Sequence, residues 1–172
     1  MKNIVLTGLR GSGKTKLGKL ISKKLKWDFI DLDKEIEKKA EETIPEIVKK
    51  NGWEYFRKLE AEECKNTSNL NNTVIATGGG AIINPENQKY LEKNNVIIYL
   101  HRLPKECMKF IKDFTSRPSL TNSSSQLEEM QKIYKERHPI YKKTSNITFD
   151  RNDSLEEDLI KIIKLKLVSP IS

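Results

Sequence analysis

The chain has 172 residues, the size of one domain with a single core, with no room for a separate regulatory module. Apolar residues make up 36% and charged residues 33%, so a compact core under a heavily ionised surface is expected, and recurring apolar runs exclude disorder. The net charge of +8 invites a polyanionic partner, but 26 of the 32 cations are lysines interleaved with acids and aromatics are only 7%, which argues against nucleic acid.

In chain order, the first predicted strand is 2–7, an apolar run that leaves no space for a signal peptide before it. It runs straight into Gly8-Leu9-Arg10-Gly11-Ser12-Gly13-Lys14-Thr15, which matches G-x-x-x-x-G-K-[ST] in its required setting, after a strand and before a helix. In such a loop the backbone N–H groups of Gly11, Ser12, Gly13, Lys14, Thr15 and Lys16 point at phosphate oxygens. Lys14 neutralises the outer phosphates and the Thr15 hydroxyl ligates Mg²⁺. A nucleoside triphosphate is the expected ligand. Leu17, Leu20, Ile21 and Leu25 then share one helical face.

The second strand, 28–31, leads into Asp31-Leu32-Asp33. On an extended segment these carboxylates share one side at the carboxyl edge of a sheet. There one could hold a metal's water shell and the other could orient a hydroxyl nucleophile; the alternative is that either simply caps the next helix. Thr43-Ile44-Pro45-Glu46 predicts a helix from 44 through a capping box, with the proline in its first turn.

A third strand, 73–77, precedes Gly78-Gly79-Gly80. Six of the eight glycines lie in this triplet and the phosphate loop. Three in a row clear every side chain from one patch so that a ligand can lie against backbone, whereas a tight turn would need only one. Asn84-Pro85 starts the next helix, followed by a strand at 95–100. Residues 115–125, rich in Thr, Ser and Asn, read as a mobile flap or a plain loop before a charged helix that reaches about 143. A mixed strand at 145–149, expected at a sheet edge, and a Ser154-capped helix from 155 complete the elements, with a frayed tail after 167.

Strands alternating with helices predict an α/β fold of three layers, a five-stranded parallel sheet with helices on both faces. Four of the strands read as continuous apolar runs. No run approaches the roughly 20 apolar residues of a membrane span. Cys64 and Cys107 lack a CxxC pattern and are expected to be reduced structural thiols, and a soluble cytoplasmic protein follows.

In a chain that otherwise chooses lysine, the six arginines, Arg10, Arg57, Arg102, Arg117, Arg137 and Arg151, mark places where a planar fork is wanted. Two could clamp a carboxylate and a third could reach over a transferring phosphate. His101 and His138 fit neither a triad nor a metal site and read as structural.

Together GLRGSGKT at 8–15, DLD at 31–33, FRKLE at 56–60, GGG at 78–80, RP at 117–118 and RHPIY at 137–141 resemble the shikimate kinase family of P-loop proteins. The resemblance implies a single P-loop kinase domain over 1–172, with an acceptor-binding region at about 33–60 and a lid at about 111–125. It implies transfer of the γ-phosphoryl of ATP to the 3-hydroxyl of shikimate, with one Mg²⁺ and with no nucleic-acid or membrane partner. In that frame Asp33 is the base, Asp31 holds Mg²⁺ through water beside Thr15, and Lys14 and Arg117 act on the phosphates. Arg57 and Arg137 bind the shikimate carboxylate, Glu60 orients Arg57, and Gly78, Gly79 and Gly80 line the acceptor site. Arg151 is assigned to ATP, and the enzyme is expected to be a monomer. Two departures from the family are Ser119-Leu120, where two leucines are usual, and Phe110, where an arginine often stacks on adenine. The competing readings are a related kinase acting on gluconate or a nucleoside monophosphate, and a nucleic-acid-binding ATPase.

Overall fold

A computed structural model describes residues 3–111, 118–121 and 123–165. Five strands form one parallel sheet: β1 (Asn3–Thr7), β2 (Asp28–Asp31), β3 (Thr73–Ala76), β4 (Asn95–His101) and β5 (Ile147–Asp150). The spatial order is β2-β3-β1-β4-β5. Seven α-helices connect and flank them among the described residues: α1 (Lys14–Leu25), α2 (Leu32–Ala40), α3 (Ile44–Asn66), α4 (Pro85–Glu92), α5 (Pro104–Met108), α6 (Gln126–Thr144) and α7 (Leu155–Lys164). Short 3-10 turns at Thr67–Asn69 and Ala81–Ile83 flank β3.

The period-two alternation of the strands sorts the core into two layers. Ile4 and Leu6 of β1 pack with Leu17 and Ile21 of α1 and Ile162 of α7. Val5 faces the other way, into a layer with Cys64 of α3, Leu91 of α4, Cys107 of α5 and Tyr141 of α6. A third cluster, Ile36, Ile44, Ile47 and Phe56, joins α2 to α3 away from the sheet. At the amino edge, Asn3 fixes the register by donating to Leu70 O and Asn95 Oδ1, both at 2.9 Å, and accepting from Thr73 N at 3.1 Å.

The helix signals translate into caps. Glu46 accepts from the backbone N–H and hydroxyl of Thr43 at 2.7 and 2.6 Å, and Asn84 Oδ1 accepts from Glu86 N at 2.9 Å. The box at Ser154 is half formed: its hydroxyl caps Glu157 N, but its own N–H goes to Asn152 Oδ1 and the Glu157 carboxylate takes the Asn152 amide.

Three sequence expectations need correction. The last strand starts two residues later than expected, because Ser145 N–H ends α6 on Tyr141 O and Asn146 bonds Ile97 through both backbone and side chain. The apolar runs pointed to one edge strand, but β2 is a second, half-exposed edge. The extended Asp31-Leu32-Asp33 segment does not form either: α2 begins at Leu32, so Asp31 ends the strand and Asp33 sits in the first helical turn.

Candidate functional site

All five strands deliver site residues at their carboxyl ends, the edge where open α/β sheets bind ligands. After β1 the loop wraps under the N-terminus of α1. Gly13 has φ 90°, which a side chain adopts only with strain, and a Cβ there would stand 2.5 Å from Arg151 Nη1. Lys14 Nζ folds back to donate to Gly8 O at 3.0 Å and Leu9 O at 2.8 Å, spanning the mouth of the loop. Arg151, at the end of β5, donates through Nη1 to Ser12 O at 3.1 Å and through Nε to Asp158 at 2.6 Å. Both members of that ion pair are buried, so Arg151 braces the loop from inside the protein. Lys16 is exposed at the rim.

This loop floors a cavity of about 300 Å³ bordered by Asp31, Asp33, Thr77 and Gly79 on one side and by Arg102, Phe110 and Leu155 on the other. Thr15 Oγ1 donates to Asp31 Oδ2 at 2.6 Å, so the hydroxyl and carboxylate predicted for a metal stand together despite the helix break. Their donors are hard oxygens, the set that suits Mg²⁺. Arg102 went unassigned at the sequence level. It is buried, bonds Asp153 Oδ1 at 3.0 Å and the Asn152 carbonyl, and lays its guanidinium 4.3 Å from the Phe110 ring centroid.

A second cavity, about 340 Å³, lies between α3, α6 and the triplet, lined by Trp53, Arg57, Gly80 and Arg137. Gly79 and Arg10 belong to the walls of both cavities. The kink that faces α3 toward this space is at Gly52, whose φ of 80° interrupts the helix. One turn on, Arg57 Nη1 donates to Glu60 Oε2 at 2.5 Å and the guanidinium lies 5.4 Å from the Trp53 ring. Glu60 is buried, and burial raises its carboxyl pKa, outweighing the opposing pull of Arg57 and Arg137.

The triplet brings three charged side chains to one stretch of backbone. A Cβ on Gly78 would lie 2.6 Å from Asp33 Oδ1, one on Gly79 3.5 Å from Arg137 Nη1, and one on Gly80 2.7 Å from Arg57 Nη2. Gly78 and Gly80 thus admit charged side chains that a Cβ would push away, whereas at Gly79 a Cβ would only touch Arg137. Asp33, Arg57 and Arg137 are thereby gathered around one bare strip. Tyr141, not singled out by sequence reasoning, donates its hydroxyl to Gly79 O at 2.5 Å; its place one turn after Arg137 was the available signal.

Arg117 lies outside the described residues, as do 112–116 and 122 of the expected lid. Pro118, Ser119, Leu120 and Ser123 to Ser125 border the second cavity, and Glu129 of α6 accepts from Ser119 Oγ and Leu120 N at 2.8 and 2.5 Å. His101 bonds Asp150 at 2.6 Å and Tyr134 at 2.9 Å, and His138 bonds Tyr99 at 2.9 Å, within an aromatic cluster lining neither cavity. Both cysteines are buried and free, with the Cys107 thiol pushed up to about 11 by burial. Among the described residues no helix is long and apolar enough to cross a membrane.

The shikimate kinase family model matches residues 10–166. A shikimate kinase of Caldanaerobacter subterraneus is 42% identical over 171 residues, covering 96% of this chain and 99% of its own. Among solved structures, shikimate kinase from Acinetobacter baumannii in complex with shikimate is 29% identical with a TM-score of 0.92, covering all of this chain and 96% of that one. The Aquifex aeolicus shikimate kinase is 33% identical with a TM-score of 0.81 over 94% of each chain.

Proposed function

We propose that this chain, which belongs to the shikimate kinase family, transfers the γ-phosphoryl of ATP to the 3-hydroxyl of shikimate, giving shikimate 3-phosphate and ADP. The observation that carries the reading is the pair of cavities meeting at Gly79. One is floored by the phosphate loop, and the other is lined by two arginines able to fork onto a carboxylate.

In this reading the N–H groups of the loop and Lys14 bind the triphosphate, while Arg151 acts through the Ser12 carbonyl it holds. Arg57 and Arg137 fix the shikimate carboxylate, with Arg57 oriented by Glu60. Gly79 and Gly80 offer backbone to the ring. Asp33, against Gly78, accepts the proton of the attacking hydroxyl or aligns it. Arg117 is assigned to the phosphates, where charge spreads during transfer. Thr15 and Asp31 would hold Mg²⁺, the carboxylate through water, and the ion would supply charge neutralisation on the β and γ phosphates. A lid over 111–125 would exclude water. A monomer is the expected working unit.

The test is ADP release by the purified protein with Mg-ATP against shikimate, gluconate and nucleoside monophosphates. Turnover with shikimate alone is expected. Turnover with gluconate or a monophosphate but not shikimate would overturn the assignment.

A further inference from the structure

The wall shared by the two cavities includes the backbone of Gly79, which has no side chain to anchor it. Gly79 lies in the turn after β3, where a peptide between two glycines can rotate with little steric penalty. Something must hold it if acceptor and donor are to meet in one geometry. Tyr141 of α6 is fully buried and donates its hydroxyl to Gly79 O at 2.5 Å. The charge of the nearby Arg137 partly offsets the rise that burial imposes on the phenol. Arg137 Nη1 and Tyr141 Oη stand 3.5 and 3.6 Å from the position of a Cβ on Gly79. A hydroxyl has one proton and two lone pairs, so it can donate to the carbonyl while its lone pairs face a neighbouring cation.

We propose that Tyr141 is a positioning residue for the phosphoryl acceptor: one buried hydroxyl holds the Gly79 carbonyl beside the Arg137 guanidinium. The inference rests on the reading of the second cavity as the shikimate site. The carbonyl of Gly79 and the N–H of Gly80 point in opposite directions across a trans peptide. Drawing the carbonyl onto α6 therefore aims the Gly80 N–H the other way. Neither that N–H nor the one of Gly79 meets an acceptor among the described residues, so both are open to a ligand. Arg137 precedes Tyr141 by four positions and shares its helix face, so anchoring Tyr141 on Gly79 O also fixes where the clamp stands against the backbone strip. The ring itself is held by Tyr99, with centroids 5.0 Å apart, and Tyr99 is fully buried and bonded to His138 Nδ1 at 2.9 Å.

Steady-state kinetics of Tyr141→Phe test this. Loss of the hydroxyl is expected to raise the shikimate KM about tenfold or more while the ATP KM stays within about twofold. Tyr99→Phe removes a hydrogen bond from the same core but leaves the Tyr141 hydroxyl in place, and its shikimate KM should stay within about twofold. Incorporating 4-aminophenylalanine at 141, which keeps a donor, should restore most of the shikimate KM. If Tyr141→Phe does not fold, 4-fluorophenylalanine at 141 fills the same space without a donor and makes the comparison with 4-aminophenylalanine. An unchanged shikimate KM, an equal rise in both KM values, an equal effect of Tyr99→Phe, or no rescue would each overturn the inference. Absence of shikimate turnover by the wild-type protein would overturn the functional reading, and this inference with it.

Discussion

Substituting Gly80 by alanine separates the acceptor site from the stability of the fold. Gly80 has φ −97° and ψ −19°, a conformation open to any residue, so the added methyl brings no backbone strain. What it meets is the Arg57 guanidinium, with Nη2 and Cζ at 2.7 and 2.8 Å from the new carbon. Nη1 is closer still, and ordinary carbon contacts begin at about 3.5 Å, so the fork must retreat by about 1 Å. Arg57 is at the end of a flexible side chain, 34% exposed, and can move. The fold then loses little, and alanine also stiffens the unfolded chain. A displacement near 1 Å at a binding group can cost about 100-fold, or about 2.7 kcal/mol. The expected outcome is a shikimate KM raised by about 100-fold, an ATP KM within about twofold, and a melting temperature within about 3 °C of wild type. Initial rates at crossed substrate concentrations, with a thermal melt of the same preparation, measure all three. An unchanged shikimate KM would show that Arg57 is not the clamp. A parallel loss in both KM values would show that the whole turn had shifted.

Asp33→Asn keeps the shape of the side chain and removes its basicity, so kcat should fall by about 10² to 10⁴ with both KM values within a few-fold; an unchanged kcat in the ADP-release assay would remove Asp33 from the chemistry. Glu60→Gln tests the buried carboxyl. Its pKa in the fold is above the ordinary 4.5, so its favourable contribution is complete below that pH and is lost as pH rises through the folded value. Urea unfolding from pH 4 to 8 should therefore show wild type losing stability relative to the variant across that window, and a gap constant with pH would refute it. Arg151→Met leaves Asp158 charged and buried without its partner, and about 3 to 5 kcal/mol of stability should go with it. Adding Asp158→Leu should recover most of the loss in denaturant titrations; a single-variant cost below about 1 kcal/mol would mean the pair is not a brace.

The sequence made the sheet legible because its signals are local. β-rich runs, the glycine loop and three cap sequences each act within a few residues, and they located every strand to within two residues and the starts of α3, α4 and α7. The Asp31 to Asp33 segment misled for the same local reason: DFIDLD alternates like a strand, but α2 packs Leu32 and Ile36 into two different core clusters, and that tertiary gain takes over after Asp31. What no local signal carries is which distant side chain a glycine admits. Gly78, Gly79 and Gly80 could be read as bare backbone, yet their partners come from α2, α3 and α6. Arg102 and Tyr141 could not be given roles because their contacts reach across 50 and 62 positions.

The same distinction explains the charge. Four lysine pairs, Lys34 with Glu37, Lys58 with Glu54, Lys89 with Glu86 and Lys132 with Glu128, join side chains three or four residues apart on helix surfaces, where water and salt reduce each to a small fraction of a buried pair. All five described arginines instead border one or both cavities. Arg57, Arg102 and Arg151 each hold a carboxylate while doing so, and two of those three forks are almost inaccessible. A guanidinium tolerates that burial because it stays charged and its planar donors can be shared between a carboxylate and a carbonyl, as Arg151 shares its own between Asp158 and Ser12. Lysine in the same place would offer a single point charge and lose one of the two contacts. The surplus of lysine therefore sets the net charge, while the few arginines set the positions of the phosphate loop and of the groups expected to grip the acceptor.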